Sequence, residues 1–139
     1  MEKCFVIYRL KPLSRNLRKE IARKEKIYFY DLGVRNAIIN AFQDIPLRND
    51  VGALFENLMI IERQKYLENY GENPNKWFWR THDQKEIDYL EETNTTFIAF
   101  EFKWSNGKIS KSTQNSFLTY YPNTSFRLIT GADYYRIFA

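Results

Sequence analysis

Cysteine, histidine, glycine and long apolar runs are all scarce in this chain. Cys4 is the sole cysteine and His82 the sole histidine. One thiol builds neither a disulfide framework nor a thiolate zinc site, and one imidazole supports no His-based metal site. His82 reads as a loop residue. The five glycines (33, 52, 71, 107 and 131) are scattered, and no Gly-x-x-x-x-Gly-Lys-Ser/Thr loop exists among them, so this chain is not expected to hydrolyse ATP. The densest apolar run, Leu58-Met59-Ile60-Ile61, falls far short of the roughly 20 residues a membrane helix needs. Met1-Glu2-Lys3-Cys4-Phe5 lacks the organisation of a signal peptide. These absences predict a cytoplasmic enzyme or interaction domain.

Aromatic side chains are plentiful. They make up 17% of 139 residues, with 10 Tyr and 11 Phe, which excludes a disordered chain and predicts one well-filled domain over residues 1–139. The net charge of +4 is unevenly spread. Arg9, Lys11, Arg15, Arg18, Lys19, Arg23, Lys24 and Lys26 face only Glu20 and Glu25 within residues 9–26, so the remainder of the chain is net acidic. A stretch of that kind either neutralises nucleic-acid phosphates or forms a solvated surface.

Hydrophobic periodicity orders the elements. Cys4–Leu10 and Lys26–Tyr30 are strand-like, and a strand so close to Met1 predicts that more protein precedes it. Asp31 is placed to cap a helix over about Leu32–Phe42, with Val34, Ala37, Ile38 and Ala41 at helical spacing. Asp50 is placed to cap a longer helix, about Val51–Tyr70, whose inner side carries Val51, Leu54, Phe55, Leu58 and Ile61. Three strands follow (Lys76–Thr81, Lys85–Glu91 and Thr96–Trp104), with links short enough for an antiparallel meander. A helix around Ser112–Tyr120, a strand Ser125–Thr130 and a terminal element at Tyr134–Phe138 complete an α/β arrangement, a mixed sheet flanked by helices. Alternation puts Trp77 and Trp79 on one face and Phe78 on the other, so this aromatic cluster belongs at least partly to the core and not to a base-stacking surface.

The chemistry centres on the strand Thr96–Trp104. Ile98, Phe100, Phe102 and Trp104 share one face, while Phe97, Ala99, Glu101 and Lys103 share the other. A carboxylate and an ammonium thus project from a core-grade strand, where an unpaired charge is costly. The preceding strand aims Glu86 and Asp88 to one side. Magnesium takes hard oxygen ligands, one or two carboxylates plus water, which Asp88 and Glu101 supply if the register brings them together. Lys103 would position the attacking water or stabilise charge developing on phosphorus. Glu56, at the flank of the long helix's apolar face, is the best third acid, and Glu62 is its rival. The structural alternative is a set of ion pairs joining Asp88 or Glu101 to Lys103 or Arg80.

Three blocks carry a family resemblance. They are Lys26-Ile-Tyr-Phe-Tyr-Asp-Leu-Gly-Val-Arg-Asn-Ala, Asn49-Asp-Val-Gly-Ala-Leu-Phe-Glu-Asn and Phe78-Trp-Arg-Thr-His-Asp-Gln-Lys-Glu-Ile-Asp. Together they resemble an uncharacterised C-terminal domain found on many prokaryotic AAA-type ATPases, itself similar to the PD-(D/E)xK restriction-endonuclease-like superfamily. That resemblance implies a restriction-endonuclease-like fold and an upstream ATPase as partner. It implies Mg²⁺ or Mn²⁺ held by Asp88 and Glu101, and catalytic positions at Glu56, Asp88, Glu101, Lys103 and Gln114. Ile87 stands where the superfamily's name has Pro. The expected function is a nuclease acting on DNA or RNA, with the basic stretch 9–26 holding the backbone. The alternative is an inactive nuclease-shaped module that binds nucleic acid or a protein.

Overall fold

The computed structural model describes residues 4–15, 20 and 24–139. Arg18, Lys19 and Arg23 of the basic stretch lie outside them. The elements in order are β1 (Ile7–Pro12), β2 (Lys26–Phe29), α1 (Leu32–Ile38), α2 (Val51–Tyr70), β3 (Asn75–Arg80), β4 (Glu86–Thr93), β5 (Thr96–Lys103), α3 (Lys111–Tyr120) and β6 (Thr124–Thr130). Short 3₁₀ turns sit at Ile45–Leu47 and Tyr134–Phe138.

The strands form one six-stranded mixed sheet in the order β2-β1-β3-β4-β5-β6. β3, β4 and β5 make the expected antiparallel meander, while β1 lies parallel to β3 and β6 parallel to β5. Helices flank this sheet, which bears out the α/β expectation. Among the described residues no helix is long and apolar enough to cross a membrane.

Alternation along the strands divides the core in two. On one face Leu10, Tyr28, Phe78, Tyr89, Phe100, Phe102 and Ile129 pack against Phe55, Met59, Ile60 and Ile61 of α2. On the other, Trp79, Ile87, Leu90, Phe97 and Ala99 pack around Phe117 of α3. Trp79 and Phe78 are fully inside, so the aromatic cluster is in part core, as its alternation predicts, while Trp77 is half-buried. α2 ends at Gly71, whose φ of 69° is the left-handed conformation that favours glycine at this position.

Some expectations fail at the ends of elements. The first strand begins at Ile7 and not at Cys4. α1 does take its cap from Asp31, which accepts from the Val34 N–H at 3.0 Å. It stops at Ile38, however, and none of its residues is buried. Helical spacing of apolar residues therefore did not mark an inward face here, and Val34 and Ile38 are exposed. Asp50 occupies the cap position of α2 but makes no side-chain cap bond. Its carboxylate instead binds Arg48 at 2.8 Å and Arg35 at 3.0 Å, and the Arg48 hydrogen bond pulls its pKa down to about 2.

Candidate active site

The site grows out of an irregularity in β4. Trp77 pairs with Leu90 and Trp79 with Ile87, so Phe78 alone faces two residues, Asp88 and Tyr89. This β-bulge lets Asp88 and Tyr89 break the alternation that the flanking residues keep. Immediately beyond, the sheet splits. Pairing of β4 with β5 ends at Tyr89–Phe100, while β5 stays paired with β6 as far as Lys103–Thr130. A backbone donor is thereby left at the fork, and Asp88 takes it: the Phe102 N–H donates to Asp88 Oδ2 at 2.9 Å. The carboxylate occupies the place a strand carbonyl would otherwise fill.

Three acids press on this fork. Burial raises the pKa of Asp88 most, and the charges of Glu56 and then Glu101 push it further, to about 7. Among the described residues no cation forms an ion pair with Asp88. Glu101 is bound by Lys103 at 2.7 Å along its own strand. That hydrogen bond holds the ammonium of Lys103 charged against partial burial, with help from the charges of Asp88 and Glu56. Gly107 lies against the stem of Lys103: a Cβ there would come within 3.0 Å of Cγ. The loop after β5 passes close over this lysine, and a side chain at residue 107 would force the lysine stem to shift by a few tenths of an ångström.

Glu56 enters from α2 and is held by β2. Its Oε1 accepts from Tyr28 OH at 2.5 Å and from Lys26 Nζ at 3.1 Å. Lys26 also pairs with Glu86, which Arg80 grips from the other side at 2.7 Å. Burial lowers the pKa of Lys26, but Glu56, Glu86 and Asp88 outweigh it and keep the amine charged. Tyr28 is driven well above its ordinary range by burial and by the Glu56 charge beside it, so it stays a donor. Asn57, one residue on, clamps the backbone of β2, accepting from the Phe29 N–H at 2.9 Å and donating to its carbonyl at 2.8 Å.

The structure thus brings Glu56, Asp88, Glu101 and Lys103 into one electrostatic neighbourhood. Gln114 is half-buried on α3, and its amide donates to the Ile109 carbonyl at 3.4 Å. Glu62, the rival acid, pairs with Lys65 on the surface of α2 at 2.7 Å and is not a buried structural acid. The buried acid of that helix interface is Glu91, bound to Arg63 at 2.7 and 2.8 Å. Lys26 and Tyr28 escaped sequence reasoning because Lys26 closes a basic run and Tyr28 looks like core. The signal was their alternation, which puts both side chains on one face of β2, toward Glu56. Among the described residues no three His, Cys, Asp or Glu side chains are arranged to hold a metal ion. The acids here are divided among cations, a hydroxyl and a backbone amide.

A family model described as a domain of unknown function, DUF4143, matches residues 51–137, more than half of the chain. The chain belongs to the DUF4143 family. A second model, also a domain of unknown function (DUF8612), matches residues 1–45. No curated protein and no solved structure gives a significant match. The DUF4143 segment carries Glu56, Asp88, Glu101 and Lys103, whereas Lys26 and Tyr28 come from the segment before it.

Proposed function

We propose that this DUF4143 chain is a metal-dependent phosphodiesterase domain of the PD-(D/E)xK type, serving an AAA-type ATPase and acting on DNA or RNA. One observation carries the reading: an acid at the fork of two strands, without an ion-pair partner among the described residues, pushed up to about 7 by burial first and then by two further carboxylates. Such a concentration of like charge is costly, and acids perturbed in this way cluster at sites that handle a positive ligand or a proton.

The residues fit a divalent cation. Asp88 Oδ2 is engaged by one amide, and the Asp88 carboxylate is otherwise without an ion pair among the described residues. Asp88 and Glu101 would hold Mg²⁺ or Mn²⁺, which supplies Lewis-acid polarisation of the phosphate and a more acidic water. Lys103 would leave or share its bond to Glu101 to orient the attacking water and to stabilise negative charge on the phosphate oxygens. Glu56, fixed by Tyr28 and Lys26, sets the potential felt by Asp88 and Lys103 without contacting substrate.

A second reading, an inactive module of the same shape that binds nucleic acid or a protein, is favoured by the 2.7 Å bond that ties Lys103 to Glu101. The deciding experiment is Mn²⁺- and Mg²⁺-dependent cleavage of single- and double-stranded DNA and RNA, with Lys103→Ala and Asp88→Ala purified alongside. Cleavage by the wild type and silence from both variants is the expected result. Cleavage that persists in both variants refutes the site. Silence throughout, together with no calorimetric uptake of Mn²⁺, establishes the inactive module instead.

A further inference from the structure

The sheet face away from α2 carries a groove that the site does not use. Arg9 and Ile27 are partners across β1 and β2, and Lys11 lies in register with Trp77 of β3. These side chains, with Pro12, Lys24 and Glu25, line an open groove of about 750 Å³. Three cations face one anion there. Glu25 is held by Arg9 at 3.0 Å, and among the described residues Lys11 and Lys24 have no ion-pair partner. Trp77 forms part of the wall. Its indole N–H donates to Glu92 at 3.1 Å, and Nη2 of Arg15 holds both oxygens of Glu92 in turn, so the ring is fixed in orientation.

We propose that this groove binds single-stranded nucleic acid, with Lys11, Lys24 and Arg9 on the phosphates and Trp77 as a stacking surface for a base. Charge and an anchored aromatic are the two elements of a sequence-tolerant single-strand site. Lys26 points into the acid site while its neighbour Ile27 lines the groove, so the two lie on opposite faces of β2, an edge of the described sheet. The aromatic wall selects the single strand: an unpaired base is free to stack on Trp77, whereas a base held inside a duplex is not. The proposal rests on the nucleic-acid part of the proposed function and not on cleavage.

The test is fluorescence anisotropy of a labelled oligothymidylate, its RNA counterpart and a hairpin duplex, all in EDTA so that metal and cleavage play no part. The full chain is compared with Lys11→Glu/Lys24→Glu and with Trp77→Leu, each checked for an unchanged circular dichroism spectrum and melt. The double charge variant should lose affinity at least tenfold, and the slope of log affinity against log salt should fall by roughly 1.4, the value for two single-strand phosphate contacts. Trp77→Leu should cost about 5- to 150-fold, the span of base–aromatic stacking. Wild-type affinity in the folded charge variant overturns the proposal, as does preference for the duplex or equal competition by polyglutamate. Failure here leaves the cleavage assay free to succeed, and the converse also holds.

Discussion

Replacing Asp88 by Asn should stabilise the protein, and the gain should grow with pH. The carboxyl of Asp88 is raised from 3.8 to about 7 by burial and by Glu56 and Glu101. Between those values the folded protein holds a proton that the unfolded chain has released, so native stability falls as pH rises through that window and levels off above it. At about 1.4 kcal/mol per tenfold change in proton affinity, the full penalty has a ceiling of about 4 kcal/mol. Asn keeps an oxygen for the Phe102 N–H and removes the charge. Urea titrations in EDTA should therefore show Asp88→Asn ahead by about 2–4 kcal/mol near pH 8 and by less than about 1 kcal/mol near pH 4. Adding Mg²⁺ near pH 8 should close the gap by stabilising the wild type alone. A variant that is less stable at both pH values, or that gains equally at both, refutes the idea that acids crowd one another at this fork.

Other changes probe the supports of the site. Arg63→Ala leaves Glu91 buried without its partner and frees the Ile137 and Ala139 carbonyls that Arg63 binds at 2.7 and 3.2 Å. It should cost about 3–5 kcal/mol in chemical denaturation, the usual price of halving a buried pair. Tyr28→Phe removes the hydroxyl that donates to Glu56 and should cost about 1.5–3 kcal/mol. If metal-dependent cleavage is found, Tyr28→Phe should lower kcat more than it changes KM, since Tyr28 acts through Glu56. Gly107→Val should weaken the same activity while leaving the thermal melt nearly unchanged, because its new side chain meets the stem of Lys103 on an exposed loop.

Much of this was legible in the sequence, for reasons that can be named. The strand Thr96–Lys103 announced itself by alternation, and its two faces meet α2 and α3 as that alternation requires. α2 matched its expected bounds because Asn49-Asp50 and Gly71 frame it, but its expected inner side held only in Phe55 and Ile61: Leu58 is exposed, and Met59, Ile60 and Leu67 are buried instead. The parts that stayed hidden depend on contacts between distant residues. Nothing local in Lys26 separates it from the surface cations before it; only the meeting of β2 with α2 makes it the partner of Glu56. The bulge at Asp88–Tyr89 has no marker such as glycine, so the strand break that singles out Asp88 could not be read in advance. α1 misled in the opposite sense, because an apolar stripe on so short a helix does not specify what it packs against.

The amide of Asn57 that grips both backbone groups of Phe29 bears on how such proteins should be cut. Sequence similarity divides the chain between residues 45 and 51, and that gap separates β1, β2 and α1 from α2 and all that follows it. Hydrogen bonding draws no line there. A piece starting at residue 51 would keep all four residues of the Asp-Glu-x-Lys set and the helical acid. It would nevertheless strip Tyr28 and Lys26 from Glu56, leave the buried Asn57 amide unmatched, and uncover the β3 edge that β1 now occupies. Expression trials and functional screens built on the DUF4143 match alone would then report on a damaged protein. An inactive fragment of that kind says nothing about the intact unit.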